Sequence, residues 1–392
     1  MMFNSTRFAL ARKRRGITKR ALAERIEVSE RSVSAYECGA TIPEPETVNR
    51  ISRVLGFPVA FFCASDVDEL KPDIASFRAL TKMTSSQRAM ALGAGSIALL
   101  LSEWIEQRFD LPQTKMPDFD RNGLRASSIS QAAPRSDQGD LYPAAGEEHD
   151  PEAYSDALRH YWGLGELPIR NMISLLESNG IRVFSLAIDA REVDAFSMWY
   201  GGKPYVFLNT NKTAERCRFD AAHELGHLIM HRHGAPQGQE AERDANAFAS
   251  AFLMPRKSIL ANAPRSATLP SLIAHKKYWT VSAAALNYRL HSLGLTTDWT
   301  YRTLCVQLSQ YGRNKEPDGS SFETSQVLSK VFAALRAEGV SKNDVASELM
   351  VLPQEIDELT FGLMLTALGG RKDRDLIADG KSARRPNLTI VK

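Results

Sequence analysis

Three side chains in the segment AAHELGHLIM are spaced for chemistry: His223, Glu224 and His227. On a helix, residues four apart are offset by about 40°, so the two imidazoles face one point, where their ring nitrogens can share a metal ion. Glu224 lies on the adjoining flank, where a carboxylate can take a proton from an attacking water and return it to a departing amine. A catalytic metal needs a third protein ligand and an open position for water. Glu242, in EAERDANAFASAFLMP, is the candidate third ligand. Glu240 and Asp244 compete for that place, with Asp244 ranked lower because of its direction on the helix. Asn246, one turn beyond Glu242, is placed to hold the outer nitrogen of a ligand histidine. Two histidines and a carboxylate suit Zn2+. A structural zinc would ask for four protein ligands and no spare acid. His231 and His233 read as a surface or helix-end pair, and His160, His275 and His291 as ordinary surface or packing residues.

The elements that must position this group follow from the hydrophobic pattern. From Glu152 two amphipathic stretches (YSDALRHYW, PIRNMISLLESNG) precede three β-branched and aromatic runs, IRVFSLAI, AFSMWY and PYVFLN. These predict helices leading into a small sheet just ahead of the motif helix. Further helices run to about Tyr311, and the polar stretch GRNKEPDGSS breaks the chain before a helical C-terminal region. Residues 111–151, rich in Pro, Ser, Asp and Gly, predict a flexible linker, and the basic tail 369–392 predicts disorder. The apolar stretch Ala89 to Leu101 is shorter than the roughly 20 residues a bilayer span requires, so it predicts a buried helix and no membrane association.

A second kind of chemistry is written in the first 62 residues. The whole chain of 392 residues carries a net charge of only +3, but Met1 to Phe62 holds eleven Lys/Arg against six Asp/Glu, or +5. Thr18 and Ser29 are placed to cap two short helices. Ala23 lets these cross closely, and Ile17, Leu22, Ile26, Val28 and Val33 supply a shared core. Lys19, Arg20, Ser29, Glu30, Arg31 and Ser34 are then candidates to meet DNA. Arg31 would reach a base edge and Lys19 and Arg20 the phosphates, with Arg12 to Arg15 adding charge nearby. The segment from Ala11 recurs, without gaps, from Ala334: Gly16 matches Gly339, Ala23 matches Ala346, Val28 matches Val351, Val33 matches Ile356 and Gly39 matches Gly362. The second copy's would-be recognition helix, PQEIDELTF, is acidic and would be repelled by phosphate, which leaves it a structural or partner-binding role. The four cysteines, Cys38, Cys63, Cys217 and Cys305, form no CxxC pair, and the N-terminal charge order is the reverse of an export signal. Reduced thiols and a cytoplasmic setting are expected.

Residues 7 to 62 resemble the Xre, or phage-repressor-like, helix-turn-helix family, including SVSAYECG before Ile42-Pro43. From about Glu152 to Tyr311 the chain resembles the ImmA/IrrE metallopeptidases, through AAHELGHLIMH, ERDANAFASAFLMP, WTVSAAALNYRL and LGLTTDW. That likeness implies a zincin-like α+β fold, zinc on His223, His227 and Glu242, and a catalytic Glu224. It also implies a protein substrate of the Xre-repressor kind, controlling stress or mobile-element genes. Asp244 stands where the family commonly shows Glu before Ala-Asn. The expected organisation is multidomain: an all-α helix-turn-helix at 1–62, a helical connector at 63–110, the linker at 111–151, the peptidase domain at 152–312, a helical region with the degenerate helix-turn-helix at 323–368, and the tail. Partners would be operator DNA, a protein substrate and a second copy of the chain, since helix-turn-helix proteins commonly read two half-sites. The alternative is a transcriptional regulator whose peptidase-like domain acts mainly as a sensor.

Overall fold

Short polar residues set most helix starts in this chain. In the computed structural model Thr18 Oγ1 accepts from the Ala21 N–H, and Ser29 Oγ from the Ser32 N–H, as their positions before the apolar runs require. The structure describes residues 2–68, 70, 84–119, 150–186, 195–231, 238–312 and 315–363. Most of the expected linker, the expected tail and His233 lie outside those residues. In chain order the helices are α1 (Ser5–Arg14), α2 (Lys19–Ile26), α3 (Glu30–Glu37), α4 (Pro45–Leu55), α5 (Ser85–Glu106), α6 (Pro151–Tyr161) and α7 (Met172–Ser178). The strands β1 (Arg182–Leu186), β2 (Ala195–Tyr200) and β3 (Lys203–Asn209) follow. Then come α8 (Ala214–Met230), α9 (Gln239–Leu253), α10 (Arg256–Asn262), α11 (Leu269–Trp279), α12 (Ala283–Ser292), α13 (Asp298–Ser309), α14 (Gln326–Ala337), α15 (Lys342–Glu348) and α16 (Pro353–Leu359). The fold is multidomain, with a helix-turn-helix first, a small sheet among helices next, and a helical remainder.

These elements fall into two compact units that do not follow the chain linearly. One comprises 1–112, 182–194 and 325–392, the other 113–181 and 195–324. The C-terminal helical region from 325 clusters with the N-terminal helices, as does β1.

In the first unit Phe8, Leu22, Ile26, Val33, Ile51 and Phe61 are fully buried and form the helix-turn-helix core. Ile17 and Val28, expected in that core, are only half-buried. Helix α5 is 22 residues long, well beyond the 13 of its apolar stretch. Among the described residues it is the one helix long and apolar enough to cross a membrane by length and composition, yet Ala91, Ala94, Ile97, Ala98 and Leu101 are buried within the unit. Gly93 explains how α1 approaches it: a Cβ there would sit 3.0 Å from the Arg14 Cα. The repeat visible in the sequence is a repeat of backbone geometry as well. Glu27 and Met350, at matching positions, both take left-handed conformations (φ 57° and 56°), each followed by valine. The acidic α16 has its counter-charges in α1. Glu355, 3% exposed, pairs with Arg14 Nε at 3.0 Å and with the Arg15 guanidinium, and Glu358 pairs with Arg14.

The second unit is organised around α8, against which α9, β2 and β3 pack. Strands β2 and β3 pair antiparallel, with Phe196 opposite Phe207 and their rings stacked at 4.4 Å. The polar stretch expected to end this domain at 312 instead returns along it to 324. Glu316 pairs with the buried Lys276 at 3.1 Å, Ser320 N–H donates to Glu215 at 2.7 Å, and Glu323 accepts from the Met172 and Ile173 N–H groups and from Arg218. A third helix-turn-helix geometry, absent from the sequence reading, joins α11 to α12: Thr280 is left-handed (φ 53°), Val281 follows, and Ser282 caps α12.

Candidate metal centre and nucleic-acid interface

Helix α8 is rigidly placed before its chemistry begins. Thr213 caps it, Leu225 and Ala221 are fully buried beneath it, and the Trp199 indole on β2 donates to the Leu228 carbonyl at 3.2 Å. Helix α9 crosses it with Phe248 and Phe252 buried and stacked, closest where α8 has Gly226 instead of a side chain.

That crossing brings together the three residues singled out as ligands. The Nε2 atoms of His223 and His227 lie 3.1 Å apart, and the Glu242 carboxylate oxygens lie 3.6 Å and 3.3 Å from them. One ligand atom from each falls within 4.8 Å of the others, the only such group of three among the described residues. The donor set of two imidazoles and a carboxylate fits a metal ion, and Glu242 Oε1 is buried where it faces His227 Nε2. Burial alone would raise the Glu242 carboxyl, but hydrogen bonds and charge from His223 and His227 hold it well below the carboxylate range. His223 shows the reciprocal effect: burial would lower its pKa, and the neighbouring Glu242 and Glu224 raise it.

Both histidines are also held from behind. His223 Nδ1 meets Asn246 Oδ1 at 3.2 Å, the contact anticipated for Asn246, and His227 Nδ1 meets His231 Nδ1 at 2.7 Å. His231 stands at the helix end expected of it, as the C-cap of α8, and its spacing of four from His227 brings the two rings together. Glu224 is 2% exposed, and burial raises its carboxyl above the ordinary range against the lowering charges of His227 and His223. Its Oε2 accepts from the Ser197 hydroxyl on β2 at 2.7 Å, a contact between distant segments that spacing could not show. Glu240 and Asp244 are absent from the ligand group. The Cys217 thiol is pushed up to about 12 by burial, while Cys38 and Cys305 are exposed rather than packed inside.

In the helix-turn-helix, Arg20, Ser29, Glu30 and Arg31 are exposed, and Lys19 and Ser34 half-buried. Lys19 Nζ pairs with Glu37 at 3.0 Å and donates to Ser34 at 3.4 Å, and Arg20 pairs with Glu24. The cluster from Arg12 to Arg15 does not supply the extra field expected of it. Arg12 is held by Glu37 and the Ile17 carbonyl, Arg14 is buried, and Arg15 is held by Glu355 and the Leu55 carbonyl. The tally of +5 therefore overstates what this face offers to phosphates.

Residues 176–291 match the family model described as the IrrE N-terminal-like domain, of the M78 peptidases, and residues 9–62 match the helix-turn-helix model. No curated protein matches the chain. The first match covers both histidines of the motif, Glu224 and Glu242, and the second covers α2 and α3 whole.

Proposed function

We propose that this chain, in which an IrrE-like peptidase domain follows an Xre-like helix-turn-helix, is a cytoplasmic zinc endopeptidase with a DNA address. Its substrate is an Xre-family repressor cleaved in trans, so that stress or mobile-element genes are switched on. The observation that carries the reading is the convergence of His223, His227 and Glu242 within 4.8 Å, with the buried carboxylate of Glu224 on the same helix.

A zinc ion held by those three residues would supply Lewis acidity and bring a water's pKa down to about 7. The residues of the chain do the rest. Asn246 and His231, beside Nδ1 of His223 and His227, would accept the Nδ1–H and leave each Nε2 lone pair available to hold the ion. Glu224, raised in pKa by its burial, accepts the proton of the attacking water and returns it to the leaving amine. A catalytic rather than structural role for zinc is supported by the chemistry of the set, since three ligands converge among the described residues and an acid stands beside them.

At the other end of the chain, α3 presents Arg31 toward a major groove, with Arg20 and Lys19 toward phosphates. Two copies of the chain would read two half-sites. Arg31→Ala should weaken operator binding by about 1–3 kcal/mol and relax one base position.

The test is to incubate wild type and Glu224→Gln, each loaded with zinc, with the repressor-like protein encoded nearest the gene, and to follow both chains by mass spectrometry. Cleavage by wild type alone supports the reading. Two intact proteins with operator binding preserved would overturn it in favour of a transcriptional regulator that senses rather than cleaves.

A further inference from the structure

Strand β2 and helix α8 touch in step. Ser197 and Trp199, two apart on the strand, contact residues Glu224 and Leu228, four apart on the helix. Two strand residues advance about 6.7 Å and four helix residues about 6 Å, so the two elements run in matching register for one turn. Trp199 fixes that register through the Leu228 carbonyl, and the stacked Phe196 and Phe207 fix β2 from its other face. Ser197 is thereby held with no exposure at all. Its Oγ lies 2.7 Å from Glu224 Oε2 and 3.2 Å from the Glu224 carbonyl. The hydroxyl has a single proton to donate, and the carboxylate is the closer and stronger acceptor.

We infer that Ser197 is a positioning residue for the proposed reaction: by holding Oε2 of Glu224 to β2, it fixes the carboxylate plane and leaves Oε1 as the oxygen that exchanges the proton. This rests on the reading of Glu224 as general base. A buried carboxylate without such an anchor would swing about its side-chain torsions, and a misplacement of about 1 Å in a reacting group can cost 100-fold in rate. The sequence offered no hint, because a serine between Phe196 and Met198 in an apolar strand reads as a small core residue.

The experiment compares Ser197→Ala and Ser197→Thr with wild type and Glu224→Gln, on the repressor-like substrate of the preceding test and by zinc titration against a competing chelator. Ser197→Ala should lose about 10- to 100-fold in kcat with KM and zinc affinity within twofold of wild type. Ser197→Thr, which keeps the hydroxyl, should recover most of the loss. In the metal-free protein, Ser197→Ala should lower Tm when Glu224 is present and add no further loss in a Glu224→Ala chain, a readout that needs no turnover. Full activity of Ser197→Ala alongside an inactive Glu224→Gln would overturn the positioning role alone. So would a loss of zinc affinity, or a Ser197→Thr chain that folds but is no better than Ser197→Ala. If wild type and Glu224→Gln were equally inert, the peptidase reading would fall and take this inference with it.

Discussion

Replacing Gly226 with alanine sets two known effects against each other at the crossing that builds the candidate metal centre. A glycine inside a helix costs about 1 kcal/mol relative to alanine, so on helix propensity alone Gly226→Ala should stabilise α8. The added Cβ, however, would lie 3.0, 3.2 and 3.3 Å from three atoms of the Phe248 side chain. Phe248 is fully buried and stacked on Phe252 at 5.4 Å, so its ring has nowhere to turn. Relief must come from α9 moving away by a few tenths of an ångström, and overpacking of that kind costs about 1–3 kcal/mol. The net expectation is a destabilisation of about 0–2 kcal/mol, seen as a lower Tm by calorimetry. The larger effect falls on the metal, because α9 carries Glu242 while α8 carries both histidines. Ligand distances tolerate only about 0.2 Å, so zinc affinity, measured by chelator competition, should fall about tenfold. A Gly226→Ala chain with raised Tm and unchanged zinc affinity would refute the claim that this glycine sets the spacing of the two helices.

Three other perturbations test separate parts of the argument. His231→Ala should weaken zinc binding about 10- to 100-fold while leaving the helix-turn-helix intact, since it removes the acceptor behind His227; chelator competition reads it directly. Glu355→Ala removes the carboxylate shared by Arg14 and Arg15, and should cost about 3 kcal/mol by urea unfolding. That is the lower end of the range for a broken buried pair, because Glu358 stays with Arg14 and the Leu55 carbonyl with Arg15. Burial would raise Glu215, but its own backbone N–H, the Ser320 N–H and Lys276 lower it below the usual carboxylate value. Its stabilisation is therefore present above about pH 4.3 and lost as pH falls through the lower folded value. Tm should drop on acidification from pH 5 to 3, and Glu215→Gln should flatten that drop while lowering Tm at pH 7.

The cluster of candidate metal ligands was legible because helical spacing is a local property: His223 and His227 needed only a count of four, and Asn246 a turn beyond Glu242. Cap positions at Thr18 and Ser29 were legible for the same reason. Ser197 was not, since its partner lies 27 residues away on another element, and a helix-end position for His231 did not by itself show the contact with His227. Charge counting failed for Arg12, Arg14 and Arg15 because a net charge is blind to which carboxylates fold against it. The turn from α11 to α12 has Thr280 in the left-handed conformation, as Glu27 and Met350 are in the two turns that the repeat made visible.

The pairing of Arg14 and Arg15 with the acidic α16 bears on how such a gene can change. By the alignment of the repeat, Glu355 stands in the C-terminal copy where Ser32 stands in the helix that would face DNA. The two copies thus differ in charge where they align: one carries the exposed face that would meet DNA, and the other the carboxylates that hold Arg14 and Arg15. A reversal of charge at Arg14 would face both Glu355 and Glu358, some 340 positions downstream. A helix-turn-helix cut away from α16 would therefore leave Arg14 and Arg15 without the carboxylates that hold them.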